Sequence, residues 1–145
     1  FDAAIDYKTA DVSESLKELC PDGIDVVFDN IGGEFLNTAL TLINMKARVV
    51  ICGAISTYND EIPTPGPSTY MSLVIMRARM EGFIVLDYFD KFPEAVRELR
   101  KWVKEDKITY LEDIQEGIEN APDTLVRLFT GQNFGKQLLK IAEPD

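Results

Sequence analysis

An α/β fold built on a parallel sheet is predicted by three observations. Short apolar strands rich in β-branched residues alternate with segments of helical period, which is the pattern of βαβ units. Two of those strands end alike, in small polar turns: Val26-Val-Phe-Asp-Asn30-Ile-Gly-Gly33 and Ala47-Arg-Val-Val-Ile-Cys52-Gly53. The chain has 145 residues, 46% of them apolar, enough for one domain with a real core.

In chain order, residues 2–7 read as a short strand closing at Asp6-Tyr7-Lys8. Asp11-Val-Ser-Glu14 has the form of a capping box, the aspartate accepting an amide and the glutamate reaching back. Val12, Leu16 and Leu19 then recur at helical spacing until Pro21-Asp-Gly23. Ile24 to Asn30 is a strand of the kind covered on both faces. Gly32-Gly33 turns into a helix carrying Phe35, Leu36, Ala39, Leu40, Leu42 and Ile43, and residues 47–53 form the next strand. Pro63, Pro65 and Pro67 make 59–68 a loop, with a helix over 69–78 after it. Met80 to Tyr88 reads as a strand, and Phe92, Val96, Leu99 and Val103 mark an amphipathic helix. Beyond Lys107 come a strand over 108–117, a helix over 119–129 stopped by Gly131, and a last strand over 135–142. The change of character near residue 106 is read as a domain edge, giving 1–106 and 107–145.

Composition excludes several classes. A formal charge of -10 argues against a nucleic-acid partner, which needs Lys and Arg on its phosphates. No apolar run approaches the ~20 residues that span a bilayer, so no membrane partner is expected. The two cysteines, Cys20 and Cys52, lack CxxC spacing and favour a reducing compartment, hence a cytoplasmic setting. With no histidine at all, the stretch is poorly equipped to supply a zinc site. Phe1-Asp-Ala-Ala lacks a signal-peptide pattern and an initiator Met, which fits a fragment or a processed chain.

In an open α/β sheet, ligands bind beyond the carboxyl ends of the strands. Asn30, Cys52 to Tyr58 and Phe83 to Leu86 are all expected there. Each also has a plain structural reading. Tyr58 is a loop tyrosine packing its ring, and Asn30 a turn residue tolerating left-handed geometry. Cys52 is a small buried residue with no base beside it. Asn133 serves the turn after Gly131. Asp29 is a solvated strand-end carboxylate, and Glu112-Asp113, Glu116 and Glu119 are a solvated face. The glycine-rich turn G-x-G-x-x-G that cradles a pyrophosphate does not occur.

Taken together, Cys52-Gly-Ala-Ile-Ser-Thr-Tyr58, Asp29-Asn-Ile-Gly-Gly33 and Gly131-Gln-Asn-Phe-Gly-Lys136 resemble the active-site edge of a family. It is the zinc-independent medium-chain dehydrogenase/reductases, in the branch of prostaglandin/leukotriene and alkenal double-bond reductases. The resemblance runs from about Asp2 to Ile141. It implies a partial Rossmann-type doubly wound sheet whose first two strands and glycine-rich turn lie upstream, plus a carboxyl-terminal segment of the substrate domain. It also implies NADPH as cofactor, a small-molecule enone or enal as substrate, no metal, and a homodimer. On the matching positions, Tyr7 would lie beside the cofactor 2′-phosphate and Asn30 would contact the cofactor. Cys52, Gly53, Ile55 and Ser56 would pass along the nicotinamide ribose. Phe83, Ile84 and Val85 would meet the carboxamide, Asn133 would add a polar contact, and Tyr58 would orient the substrate carbonyl or a ribose hydroxyl. Where many relatives hold glycine before the fifth strand, this chain has Met45-Lys-Ala-Arg48, leaving that turn's geometry open. The implied activity is hydride transfer to the C=C bond of α,β-unsaturated ketones or aldehydes, the isolated chain itself being inactive and free to self-associate or repack its first strand. A quinone reductase of the same superfamily and a non-catalytic α/β interaction module are the alternatives.

Overall fold

A computed structural model describes residues 1–143. The chain divides into two compact units, 1–87 and 88–145. Residues 88–106, grouped with the nucleotide domain on sequence, fall within the second unit.

The first unit carries a three-stranded parallel sheet in the order β1-β2-β3, formed by β1 (Ile24–Asp29), β2 (Ile43–Ile51) and β3 (Arg79–Gly82). Sequential strands lie side by side, and α2 (Gly33–Leu40) and α3 (Met71–Ile75) make the crossovers. Such crossovers are right-handed, so both helices fall on one side of the sheet. That side holds the core: Val27, Leu36, Ala39, Leu40, Ile43, Ala47 and Val49, with Leu73 and Met76 packed against it. Leu40 is fully buried, and each such side chain stabilises the fold by about 1.5–3 kcal/mol. The opposite side is open, with Val26 51% and Phe28 55% exposed. Of the two helical layers expected over β1, the chain's own crossovers supply one. On the open side Phe28 and Phe83 meet edge to face, with ring centroids 5.6 Å apart.

Three local expectations need correction. Residues 2–7 form no strand; after them the chain turns, the Thr9 and Ala10 amides donating to the Asp6 carbonyl. A strand exists by its ladder, and residues 2–7 join none: β1 pairs with β2 on one side and its other edge takes up no strand among the described residues. Met80 to Tyr88 is strand only as far as Gly82, and a kinked 3₁₀ segment, Val85–Lys91, follows. Ile43 opens β2 and does not close α2, because the Ile24 amide already bonds the Leu42 carbonyl at 2.9 Å.

The turn of Met45-Lys-Ala-Arg48 becomes an irregularity inside β2. From Ile24 to Val26 on β1, the partner strand runs from Ile43 to Arg48. Lys46 absorbs the slack at φ 66, its amide donating to the Met76 carbonyl at 2.8 Å. That is the left-handed conformation glycine adopts without strain. Ahead of β1, α1 (Val12–Leu19) starts as predicted, with the Glu14 amide donating to Asp11 Oδ1 at 2.9 Å.

The second unit comprises α4 (Phe92–Lys104) and a βαβ unit. In the latter, β4 (Glu112–Glu116) and β5 (Lys136–Lys140) pair in parallel across α5 (Ala121–Thr130). Gly131, at φ 63, ends α5 as expected. Asp113 is the correction here. Its side chain is only 15% exposed, and its Oδ2 meets Arg127 Nη2 at 2.6 Å. The Gln115 side chain and the Phe134 amide donate to the same carboxylate, and Gln137 donates to its carbonyl. The Gln115 bond first, then Phe134 and Arg127, hold the Asp113 carboxyl below the ordinary 3.8. What reads as a solvated acidic face is therefore, at residue 113, the tie between β4 and α5.

Candidate active site at the strand ends

The carboxyl ends of β1 and β2 are joined by main-chain bonds. The Cys52 and Gly53 amides both donate to the Asp29 carbonyl, at 2.8 and 3.2 Å. The Ile55 amide donates to the Asn30 carbonyl at 3.0 Å, and the Ser56 amide to that of Ile31 at 3.1 Å. The Ser56 hydroxyl adds a bond of 2.5 Å to the Ile31 carbonyl. The two turns thus behave as one ledge.

Asp29 and Gly32 make that closeness possible. Asp29 is 1% exposed, and its carboxylate accepts the Ile31 amide at 2.8 Å and the Gly32 amide at 3.0 Å. It is a buried turn-former, not the solvated group expected. A short side-chain oxygen at this position reaches both amides, as in an Asx-turn. Gly32, at φ 71, faces Ala54 so closely that an added Cβ would lie 2.9 Å from the Ala54 Cβ. Neither role is visible from spacing alone, although Asp followed by paired glycines is the composition of such a turn.

Beyond the ledge, Ile55–Thr57 makes a 3₁₀ turn that brings Tyr58 back over it. The Ala54 amide donates to the Tyr58 hydroxyl oxygen at 3.1 Å. Tyr58 is 67% exposed, and its Oη would lie 2.9 Å from a Cβ at Gly53. The Asn30 carbonyl and Oδ1 lie 3.5 and 3.7 Å from that same point. The Asn30 side chain is exposed and has no hydrogen-bond partner among the described residues. Cys52 is exposed and unpaired, contrary to its expected burial, because its amide ends the ladder and its side chain passes the edge.

The remaining candidates are distributed. The Phe83 amide donates to the Ile51 carbonyl at 2.8 Å, so Phe83 lies just past the same sheet edge. Ile84 and Val85 follow it with exposed side chains. Tyr7 lies in the turn that begins the chain and is exposed. Asn133 belongs to the second unit, where its side-chain amide donates to the Gly135 carbonyl at 3.0 Å. The first unit therefore brings together Asn30, Cys52, Gly53, Ile55, Ser56, Tyr58 and Phe83.

A cavity of about 420 Å³ lies under the ledge, between the start of α2 and the proline loop, lined in part by Asp29, Asn37, Thr57 and Pro65. Among the described residues no group of three His, Cys, Asp or Glu is placed to hold a metal ion. No helix among them is long and apolar enough to cross a membrane.

Known proteins resemble this chain in sequence and fold. The NADPH-dependent curcumin reductase of Escherichia coli is 42% identical over 100% of this chain and 44% of its own length. The NADP(+)-dependent 2-alkenal reductase of Nicotiana tabacum is 41% identical over 98% of this chain and 41% of its own. The crystal structure of CurA from Vibrio vulnificus in complex with NADPH superposes with a TM-score of 0.87 at 38% identity, covering 99% of this chain and 44% of that one. The chain thus spans less than half the length of these relatives. The zinc-binding dehydrogenase family model matches residues 1–101, and on that match, with the ledge of β1 and β2 at its centre, the chain belongs to the zinc-binding dehydrogenase family.

Proposed function

We propose that the chain is the carboxyl-terminal portion of an NADPH-dependent, zinc-independent reductase of the C=C bond of α,β-unsaturated ketones or aldehydes. The observation that carries this reading is a phenol held at the sheet edge, Tyr58 on the Ala54 amide, next to an unpartnered Asn30 amide group. NADPH, when bound, supplies hydride to the β-carbon, which places negative charge on the carbonyl oxygen. An oriented phenol O–H stabilises that charge because the donor is in position before the charge develops.

The residues present fit the nicotinamide end of the cofactor. The ledge presents Asn30, with both donor and acceptor free for a carboxamide or a ribose hydroxyl. The amides of Cys52, Gly53, Ile55 and Ser56 are engaged with the end of β1 and the turn after it, so these residues act through carbonyls and side chains. Phe83, Ile84 and Val85 continue the surface past β3, Asn133 adds a polar contact, and Tyr7 serves the 2′-phosphate. The pyrophosphate turn is not supplied by this stretch, so the chain alone is inactive. Residues 1–106 belong to the nucleotide-binding domain and 107–145 return to the substrate domain. The match over 1–101 supports the first of these. A homodimer and a cytoplasmic setting complete the proposal. In support, β3 has no strand on its outer side among the described residues, and both cysteines are free.

The test is NADPH oxidation with a 2-alkenal, a cyclic enone and a quinone, run on this chain and on the full-length protein that contains it. Turnover of the alkenal or enone by the full-length protein alone is the expected result. Turnover of quinone alone assigns the site to quinone reduction, and no turnover of any acceptor overturns the reductase reading.

A further inference from the structure

We infer that Gly53 is the positioning residue for the Tyr58 phenol: the space left by its missing side chain admits the hydroxyl oxygen to the Ala54 amide and so fixes where the O–H can donate. The inference rests on the reductase reading above and adds to it the group that sets the donor's place.

Gly53 is not glycine for the sake of its backbone. It is absent from the positive-φ glycines, which are Gly23, Gly32, Gly33, Gly117, Gly131 and Gly135. Its φ therefore lies outside the left-handed region that favours glycine. The constraint is space: an added Cβ would sit 2.9 Å from Tyr58 Oη, while its next contacts, the Asn30 oxygens at 3.5 and 3.7 Å, are ordinary. The contact at 2.9 Å is with the far end of a side chain, so the phenol moves and the ledge stays.

That phenol is otherwise held by one bond. Tyr58 is 67% exposed, and the Ala54 amide at 3.1 Å is the hydrogen bond its hydroxyl oxygen receives. A phenol has one proton and two acceptor lone pairs. With a lone pair engaged by Ala54, the proton is left for a ligand oxygen to accept. Displace the oxygen from Ala54 and an exposed side chain regains its rotamers, losing the orientation an oxyanion donor depends on.

The experiment is a double-mutant cycle in the full-length protein: Gly53→Ala, Tyr58→Phe and the pair, with kcat and KM for a 2-alkenal and the Kd for NADPH. Alongside it, the Ala54 amide resonance is followed in ¹⁵N-alanine-labelled protein, assigned by its loss in Ala54→Ser. Gly53→Ala is expected to lower kcat by at least about tenfold, on the lower side of what one oriented donor contributes. It should add less than about twofold in the Tyr58→Phe background, since the two changes remove one interaction. The Ala54 resonance moves in the same direction in both single variants, and the Kd for NADPH separates any loss of cofactor affinity from the loss of kcat. An equal loss of kcat in both backgrounds, or an Ala54 shift on Gly53→Ala that is the same with the Tyr58 hydroxyl as without it in the Tyr58→Phe background, overturns the inference. Should the wild-type protein reduce no enone or enal, the reductase reading fails by itself, and the Ala54 resonance still decides whether Gly53 admits the phenol.

Discussion

Gly32→Ala separates the two turns of the ledge and tests whether their close approach holds the site together. Gly32 sits at φ 71 and ψ -157, a region that residues other than glycine all but avoid. Forcing alanine into it costs about 1–3 kcal/mol. The new methyl would also stand 2.9 Å from the Ala54 Cβ and 3.2 Å from its Cα, where backbone must move. Overpacking of that kind costs about 1–3 kcal/mol more. Alanine's smaller unfolded-state entropy returns up to about 1 kcal/mol. The net expectation is a loss of about 1–6 kcal/mol, a large share of the 5–15 kcal/mol typical of a domain. Urea unfolding followed by far-ultraviolet circular dichroism reads this as a lower midpoint at unchanged slope. The control is Gly66→Ala, since a Cβ there meets nothing within 4 Å. A Gly32→Ala loss below about 1 kcal/mol, or one matched by the control, refutes the reasoning.

Two further outcomes follow from the same structure. Lys46→Gly relieves the left-handed backbone inside β2 and should raise stability by up to about 1 kcal/mol in the same assay, whereas a clear loss would mean the lysine side chain holds the turn. Asp113→Asn should destabilise the second unit at neutral pH. The folded Asp113 carboxyl lies below 3.8, so its stabilisation is present above that value and fades as pH falls through the folded value. The gap between variant and wild type in thermal unfolding should therefore narrow only below about pH 4, and a gap constant across that range would show that charge is not the cause.

Much of the order of elements was legible because each depends on local signals. Asp11 starts α1, Gly131 ends α5, and the apolar runs of β1 and β2 need no partner to be recognised. Residues 2–7 misled because a strand is a relation, and its pairing partner is not written in its own residues. Phe83 to Tyr88 misled for a similar reason: its apolar content fits an interior strand, yet the ladder ends at Gly82. At the site, motif position identified Asn30, Cys52 and Tyr58, all of which reach the sheet edge. The burial of Asp29 stayed hidden because it arises where two turns distant in sequence meet, and the clearance at Gly53 because it depends on the 3₁₀ turn that folds Tyr58 back over it. Asp113 was hidden likewise, its partner Arg127 lying one crossover away.

The bonded ledge also bears on how this site can change over generations. Its main-chain amides are already committed to one another, so the recognition surface left to a ligand is mostly side chain. Substitutions at exposed positions such as Cys52 or Ile55 can alter shape and polarity without unsettling the scaffold beneath. A lineage built this way can drift in substrate preference while the architecture stays put. The glycines and Asp29 that close the ledge are where such drift should stop.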